Sequence, residues 1–518
     1  MPLRACLALL SAFLYGAASP AHNGAFLAWI AFCPLLFACV STTPRRAAGL
    51  GLLFGLAGTV SVAWWFPGML ERYFGVEPRL AWLGLVAIGA TVDGIPCALF
   101  AAWVSAAARR GVLTPLGVGA AWGVAEFLRS HGPLANPYGL IGYSLHDSPF
   151  AQAADLVGPI GLGALVAAAN AALAGLLVPE LARGRPLRQL AATGTILLAV
   201  VGYGELRLTQ SFGDGRPLRV AAVQGAVERG LHWDRALRDA NLTRYLELNR
   251  EAARGAPELV FWPEFAVDFY LAEDTPQRAR LVEAVREDGA DVVLGATRYA
   301  FDADRTLYYN SVFVVDRTGA IGPIGYDKQR LVPFSEYAPF GDWLRADSAV
   351  YAPGHESRLL DTHAGRVGAF VCAESLYPDV ARGLARAGAE ILANPSNDFW
   401  FGARKAAAEQ LTAASFRAIE NRRAVVRATS TGITAFIDPH GRVTARSQGS
   451  GPEVISAELE RSHAVTLFQI LGDAGVAGLC LAAAVSGGRR RRGNGWRTEA
   501  RIEAKDTIPP TTCRMERP

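Results

Sequence analysis

Three strand ends read from this sequence carry groups that can do acyl chemistry. Phe261-Trp262-Pro263-Glu264 closes on a carboxylate, and the stretch from Tyr326 to Glu336 carries an amine at Lys328 and a second carboxylate at Glu336. Val367-Gly368-Ala369-Phe370-Val371-Cys372-Ala373-Glu374 delivers a thiol into what reads as a strand-to-helix turn. Singly these are weak signals, since a glutamate after proline is usually a cap, a lysine is usually solvated and a cysteine usually packs as a small hydrophobe. Together they are the types that covalent acyl transfer needs. The thiolate is the nucleophile, so a base must reach the thiol, and a cation or N–H donors must meet the oxyanion of the tetrahedral intermediate.

Cysteine usage points the same way. Of the seven cysteines, Cys6, Cys33, Cys39, Cys97, Cys372, Cys480 and Cys513, only Cys372 falls in the globular middle of the chain, where it has no disulfide partner. A single thiol in an oxidising compartment is either buried and inert or used as a nucleophile.

The elements that must hold these groups alternate. LRVAAVQ from Leu218, ELVFWPE, DVVLGAT, NSVFVVD, RVGAFVC, EILANPS and RAVVRATS read as buried strands. Trp233 to Arg254, residues 276–287 and Lys405 to Asn421 read as helices between them. Such alternation argues for a layered α/β domain with its functional groups at strand ends and in loops.

On either side the composition changes. Mean hydropathy is above zero and only 19% of residues are charged. Apolar stretches lie near 5–20, 24–42, 47–67, 80–107, 112–128, 153–179 and 187–204, most of them close to the ~20 residues that cross a bilayer. An eighth, from Val465 to Val485, is interrupted by Asp473, which is expected at the interface. The first stretch, with Arg4 and Gly16-Ala17-Ala18-Ser19, also reads as a signal peptide, but its direct continuation into further apolar sequence favours a retained hairpin. The expected organisation is a seven-helix membrane region over 1–204, a catalytic domain over 205–463, a last span over 464–486 and a disordered basic tail over 487–518.

Arginine placement orients this arrangement. With the N-terminus inside, Arg45 and Arg46, Arg109 and Arg110, Arg183, Arg185 and Arg188, and Arg489 to Arg492 all fall in the cytoplasm. The opposite turns hold Arg72 and Arg79, diluted by Glu71 and Glu77, and Arg129. The asymmetry places 205–463 outside. Arg489 to Arg492 reads as a solvated tail or an anchor on anionic lipid, and a net charge of +4 gives no reason to expect nucleic acid. Asp93 and Glu126 fall in or near spans, where a charge is either functional or held in an interhelical polar contact.

In this order and at strand ends, Glu264, Lys328 and Cys372 resemble the Glu, Lys and Cys of the nitrilase superfamily over residues 218–450. The chain as far as 486 is similar to the apolipoprotein N-acyltransferases. Matching pieces include Ala28 to Leu36, Gly51 to Trp65, Val223-Gln224-Gly225 with Trp233, Asn310-Ser311, Leu331 to Phe340, Asn397-Asp398-Phe399-Trp400-Phe401-Gly402, and Ser430 to Ala435. Three positions depart from the family pattern. Phe265 stands for a small hydroxyl residue, Ala373 for a tyrosine, and Glu409-Gln410 for Gln-His.

The resemblance implies a multi-span helical membrane domain carrying an α-β-β-α nitrilase-like sandwich outside the bacterial cytoplasmic membrane. It implies Glu264 as base, Lys328 as oxyanion partner with the Ala373 N–H, and Cys372 as nucleophile. Glu336, Glu374, Trp233, Asn310 and Trp400 are the supporting positions. The implied reaction is ping-pong. A membrane phospholipid gives its acyl chain to Cys372, and the thioester acylates the amine of the diacylglyceryl cysteine that begins an apolipoprotein. No cofactor, metal or nucleic acid is expected, and the oligomeric state is left open. The alternatives are a membrane-tethered carbon-nitrogen hydrolase that passes its thioester to water, and a non-catalytic lipoprotein-binding protein with the same fold.

Overall fold

A computed structural model describes residues 2–487 apart from 23, 133–134, 228–236, 303–304, 323–324, 334, 338–350, 402–403 and 450. Trp233, Phe334, Phe340 and the basic run Arg489 to Arg492 with the tail beyond it therefore lie outside the described residues.

The first half is helical: α1 (Pro2–Ala17), α2 (Cys33–Val40), α3 (Pro44–Ala63), α4 (Phe66–Phe74), α5 (Pro78–Ile88), α6 (Gly94–Arg109), α7 (Pro115–Ser130), α8 (Ala154–Ala174) and α9 (Pro186–Leu208). Prolines open α3, α5, α7 and α9, where the missing N–H is one the helix could not use. Among the described residues, five helices are long and apolar enough to cross a membrane: Pro44–Ala63, Pro78–Arg109, Pro149–Ala174, Pro186–Leu208 and Leu467–Ser486. The first and fifth expected spans form helices of 16 residues, α1 and α7. The second is interrupted after a 3-10 turn at Ala25–Trp29. Their interior is aromatic, with Phe32 and Trp122 ring centroids 4.5 Å apart and Tyr15 edge-on to Phe54 at 5.6 Å. Close crossing needs small residues, and a Cβ on Gly119 would sit 2.2 Å from the Ala164 carbonyl.

The charges inside this bundle are partnered. Arg129 donates to Asp93 at 2.5 Å, and Asp93 also accepts from Thr59 at 2.6 Å and Asn136 at 2.7 Å. Asp93 thus takes the interhelical reading, and Arg129 is an interior ion-pair partner instead of a charge on an outer turn. Glu126 accepts from the Ile141 N–H at 2.9 Å. Asp473, expected at the interface, is buried at the break that Gly472 (φ 61°) makes in the last helix, 3.8 Å from His131.

Residues 217–460 form two six-stranded sheets. The first contains β1 (Pro217–Gln224), β2 (Leu259–Phe261), β3 (Asp291–Asp302), β4 (Arg305–Val315) and β5 (Tyr326–Asp327), closed at one edge by β12 (Glu453–Glu460). The second orders β6 (Leu359–Thr362), β7 (Gly365–Ala369), β8 (Ile391–Ser396), β9 (Val425–Thr429), β10 (Ala435–Ile437) and β11 (Val443–Arg446). In each sheet the three central strands are parallel. Period-2 alternation sorts β1 between layers: Val220 and Ala222 face the second sheet, while Ala221 and Val223 pack with Leu242 and Tyr245 of α10 (Arg238–Ala253) and Leu281 of α11 (Pro276–Asp288). The other sheet is covered by α12 (Pro378–Ala387) and α13 (Arg404–Asn421), giving an α-β-β-α sandwich. The chain returns to the helical bundle through α14 (Leu467–Gly487).

Sandwich and bundle are pinned by one carboxylate. Asp155 of α8, fully buried, accepts from Arg207 of α9 at 2.6 and 2.8 Å, from Arg422 after α13 at 2.8 and 3.1 Å, and from Tyr203 at 2.8 Å. Removing one partner of a buried pair leaves an uncompensated charge and costs about 3–5 kcal/mol. Asp155→Ala is therefore expected to lower the Tm of the purified full-length protein by several degrees. An unchanged Tm would show that the two arginines find water instead.

Candidate active site

Each functional side chain sits where a strand stops. After β2 the chain stays bonded to β3 (Trp262 N–H to Val293 O, 2.8 Å), then turns sharply at Phe265, whose φ is +51°. Only glycine fits opposite. A Cβ on Gly295 of β3 would lie 2.6 Å from Glu264 Cα. Lys328 follows the two-residue strand β5, with its N–H on the Asn310 carbonyl and its own carbonyl receiving the Gly354 N–H, both at 2.8 Å. The residue before it is gripped from below: Asp327 accepts from Arg298 at 2.5 and 3.0 Å and from Ser311 at 2.6 Å.

Cys372 begins a 3-10 turn, Cys372–Leu376, just past β7, at φ +54°. A non-glycine residue there costs of order 1 kcal/mol or more and is typical of functional turns. Asn394 of β8 steadies the elbow, donating to the Phe370 carbonyl at 2.7 Å and the Cys372 carbonyl at 3.3 Å. Glu374 joins the two loops. It accepts from the Val371 N–H (2.5 Å) on the cysteine side and from Gln329 N–H (2.7 Å), Arg330 N–H (2.9 Å) and Tyr326 OH (3.0 Å) on the lysine side. Burial pushes its carboxyl up to about 7 even against these donors.

At the centre, Lys328 Nζ lies 3.2 Å from Glu264 and 2.9 Å from Glu336, with all three buried. Asn310 donates to both carboxylates, at 2.7 and 2.9 Å, while the Asn397 N–H takes the other oxygen of Glu264 at 2.8 Å and the Val332 N–H that of Glu336 at 2.8 Å. One cation against two carboxylates sets the electrostatics. Burial raises Glu264 further than Lys328 lowers it, with the Glu336 charge adding. Burial disfavours the lysine cation, but Glu264 and Glu336 overcome this and hold it charged. Burial and the Glu264 charge push the Cys372 thiol up to about 12, offset in part by Lys328 and by a hydrogen bond from Ser396.

Of the residues expected from the sequence, Glu264, Lys328, Glu336 and Asn310 form one hydrogen-bonded cluster, with Cys372 within its field. Glu374 stands behind this cluster, Ala373 follows Cys372 in its turn, and Trp400 lies in the 3-10 turn Asp398–Phe401. Sequence reasoning missed the layer under β8 and β9. There Arg427 is fully buried, bonds both oxygens of Asp398 at 2.8 Å, and reaches Asn394 and Gln410. The signal was an arginine inside the apolar run Ala424-Val425-Val426-Arg427-Ala428. Nothing in a linear reading would have placed Tyr138, from the α7–α8 connection, beside Gln410 and within the field of Cys372.

Comparison with known proteins agrees with both halves of this architecture. The carbon-nitrogen hydrolase family model matches residues 219–467, and the apolipoprotein N-acyltransferase N-terminal domain matches residues 11–172. Among curated relatives, the apolipoprotein N-acyltransferase of Geobacter metallireducens is 32% identical, covering 93% of this chain and 94% of its own length. That of Pseudomonas putida is 33% identical (81% and 83% covered), and that of Methylococcus capsulatus 30% identical (94% and 96%).

The raised thiol has a measurable consequence. Alkylation of Cys372 by iodoacetamide is expected to be slow at pH 7 and to climb about tenfold per pH unit as far as pH 9, since only the thiolate reacts. Glu264→Gln removes a charge that raises the thiol, so its alkylation at pH 9 is expected to exceed that of the unaltered protein. A slower rate would mean that Glu264 acts on this thiol chiefly by taking its proton and not through its charge.

Proposed function

Since this chain belongs to the apolipoprotein N-acyltransferase family and so serves lipoprotein N-acylation, we propose that it works by a two-step transfer through a thioester on Cys372. Glu264 takes the thiol proton as the sulfur attacks the ester carbonyl of a membrane phospholipid. Lys328 and the Ala373 N–H meet the oxyanion, and Glu264 returns the proton to the departing lysophospholipid. In the second step the free amine of a diacylglyceryl cysteine attacks the thioester and leaves as an amide, restoring the thiol. Glu336 keeps Lys328 charged and in place, Asn310 spaces the two carboxylates, and Glu374 sets the lysine loop against the cysteine turn. Trp400 contributes to acyl-chain contact, with Trp233 a further supporting position.

One observation carries this reading over a hydrolase of small amides. The buried apolar core runs without a break from the helices into the sandwich and includes Cys372 itself. A nucleophile in that position is suited to substrates that never leave the bilayer, and a bundle in which five helices among the described residues are long and apolar enough to cross a membrane would be of no use to a soluble amide.

In the same reading, residues 1–204 and 464–486 lie in the cytoplasmic membrane of a bacterium, 205–463 outside it and 487–518 within the cytoplasm. What supports the orientation is the arginine asymmetry, sharper once Arg129 is assigned to Asp93.

Cys372→Ala is expected to abolish transfer while the protein still folds in the membrane. Incubation of the unaltered protein with a fluorescent phospholipid should leave a hydroxylamine-labile label that this variant lacks. Substantial turnover by folded Cys372→Ala would remove the covalent route. For topology, a phosphatase reporter joined after Asp214 is expected to be active and one joined after Arg492 inactive; the reverse pattern would invert the orientation.

A further inference from the structure

The connection that leaves α7 carries Tyr138 toward the sandwich, and a charge pair inside the bundle holds it. Asp93 closes a single π-turn, Gly89–Asp93, between α5 and α6, a kind of irregularity frequent at functional sites. Arg129 lies in the last turn of α7, and both side chains are buried. Joining two helices needs only the 2.5 Å bond between them, yet beyond one bond from Thr59 the pair directs its hydrogen bonds to the connection. Arg129 Nη2 donates to the Tyr138 carbonyl at 2.7 Å, and the Arg129 carbonyl accepts the Asn136 N–H at 2.8 Å. Asn136 Nδ2 donates to Asp93 at 2.7 Å, while its Oδ1 accepts the Tyr138 N–H at 3.3 Å. The next carbonyl, that of Gly139, accepts from Tyr15 of α1 at 2.5 Å. Tyr138 is therefore gripped at its N–H, its carbonyl and the residue after it.

What the connection faces gives this grip a purpose. Gly132 and Ala135 line a cavity of about 250 Å³ whose other walls include Arg330 and Leu331 of the lysine loop and Tyr377 just past the cysteine turn. Tyr138 itself is half-buried, packs against the apolar core that includes Cys372, and meets Trp65, just past α3, with ring centroids 5.6 Å apart. We propose that the Tyr138 ring is the bundle-side contact for the alkyl chain of the phospholipid donor, and that Asp93, Arg129 and Asn136 are the positioning residues that set it. This rests on the phospholipid donor of the transfer proposed above. An alkyl chain lying on the ring leaves water, which favours binding in proportion to the apolar area covered. A wall free to shift would misplace the ester carbonyl at the far end of that chain. Apolar packing has no direction, whereas a buried ion pair with its hydrogen bonds has one geometry, and a charge is costly inside a bundle unless it is paired in this way.

The test uses the full-length protein, with lysophospholipid release measured against the concentration of a long-chain and of a short-chain phospholipid bearing the same head group. Tyr138→Ala is expected to raise KM for the long-chain donor about tenfold, with kcat within about twofold and KM for the short-chain donor nearly unchanged. Tyr138→Phe, which keeps the ring, should recover most of that loss. Asn136→Ala cuts the link from the pair to the connection but leaves Asp93 its bonds to Arg129 and Thr59, so the buried charges stay compensated. It should raise the same KM by less than Tyr138→Ala does, and it carries the chain-length comparison by itself if Tyr138→Ala does not accumulate. The double variant should be no worse than Tyr138→Ala alone, because Asn136 acts through the ring. Losses that multiply in the double variant would give Asn136 an independent structural role and overturn the positioning. A KM that rises equally for both chain lengths, or not at all, would overturn the chain contact. If the unaltered protein releases no lysophospholipid, the donor reading itself falls; normal release with an unmoved KM in both variants sinks this inference alone.

Discussion

A lysine ammonium buried between two carboxylates is the constraint to which the rest of this molecule answers. Taking Lys328 out of water costs several kcal/mol unless opposite charges and hydrogen bonds replace its solvent. The replacements come from distant parts of the chain: Glu264 from the end of β2, Glu336 from the loop beyond β5, and Asn310 from within β4 to bridge both. None of these contacts survives a shift of one strand against the next. The glycine at 295, the grip on Asp327 and the four-donor clamp on Glu374 all read as devices that stop such a shift.

The same cluster is electrically unbalanced, and the imbalance has a use. In this dry site burial and the Glu264 charge, which Lys328 offsets only in part, resist a further anion, and the thiol keeps its proton. A protonated thiol is a poor target for oxidation between turnovers. In the proposed transfer, activation is local and brief, with the proton moved to Glu264 as the sulfur attacks. A permanently ionised cysteine would be ready sooner, but it would be exposed to every oxidant in its compartment.

The border between sandwich and bundle repeats this logic with polar side chains in place of apolar ones. Asp155 gathers Arg207 and Arg422, Arg417 and Glu420 pair on α13, and Arg427 binds Asp398 beneath the site. Apolar packing alone would let α13 slide, since it is non-directional. Buried ion pairs have one geometry. Helix α13 is tied on two sides, by Arg417 to the Ser375 carbonyl in the cysteine turn at 3.0 Å and by Arg422, just past its end, to Asp155 of α8 at 2.8 Å.

By itself, the sequence determined the composition of this protein's parts. Apolar length announced the helices, because crossing hydrocarbon demands it locally; strand-helix alternation announced the layers, because side-chain period is a property of the nearest residues. Glu264 and Cys372 were legible for the same reason, each being a reactive group left at the end of an apolar run, while Lys328 stood in a loop and was legible through its place between them. Tertiary structure decided what depended on partners far along the chain. Arg129 looks like a turn charge until Asp93, 36 residues away, is seen beside it. Asp155 looks like a helix cap until Arg422 arrives from 267 residues away. Glu409 looks like an ordinary helix glutamate until Ser19, 390 residues distant, takes one of its oxygens and leaves the other bare. Hydrophobic pattern is written locally because burial acts on single residues, whereas the fate of a buried charge depends on which opposite charge the fold brings within about 3 Å of it.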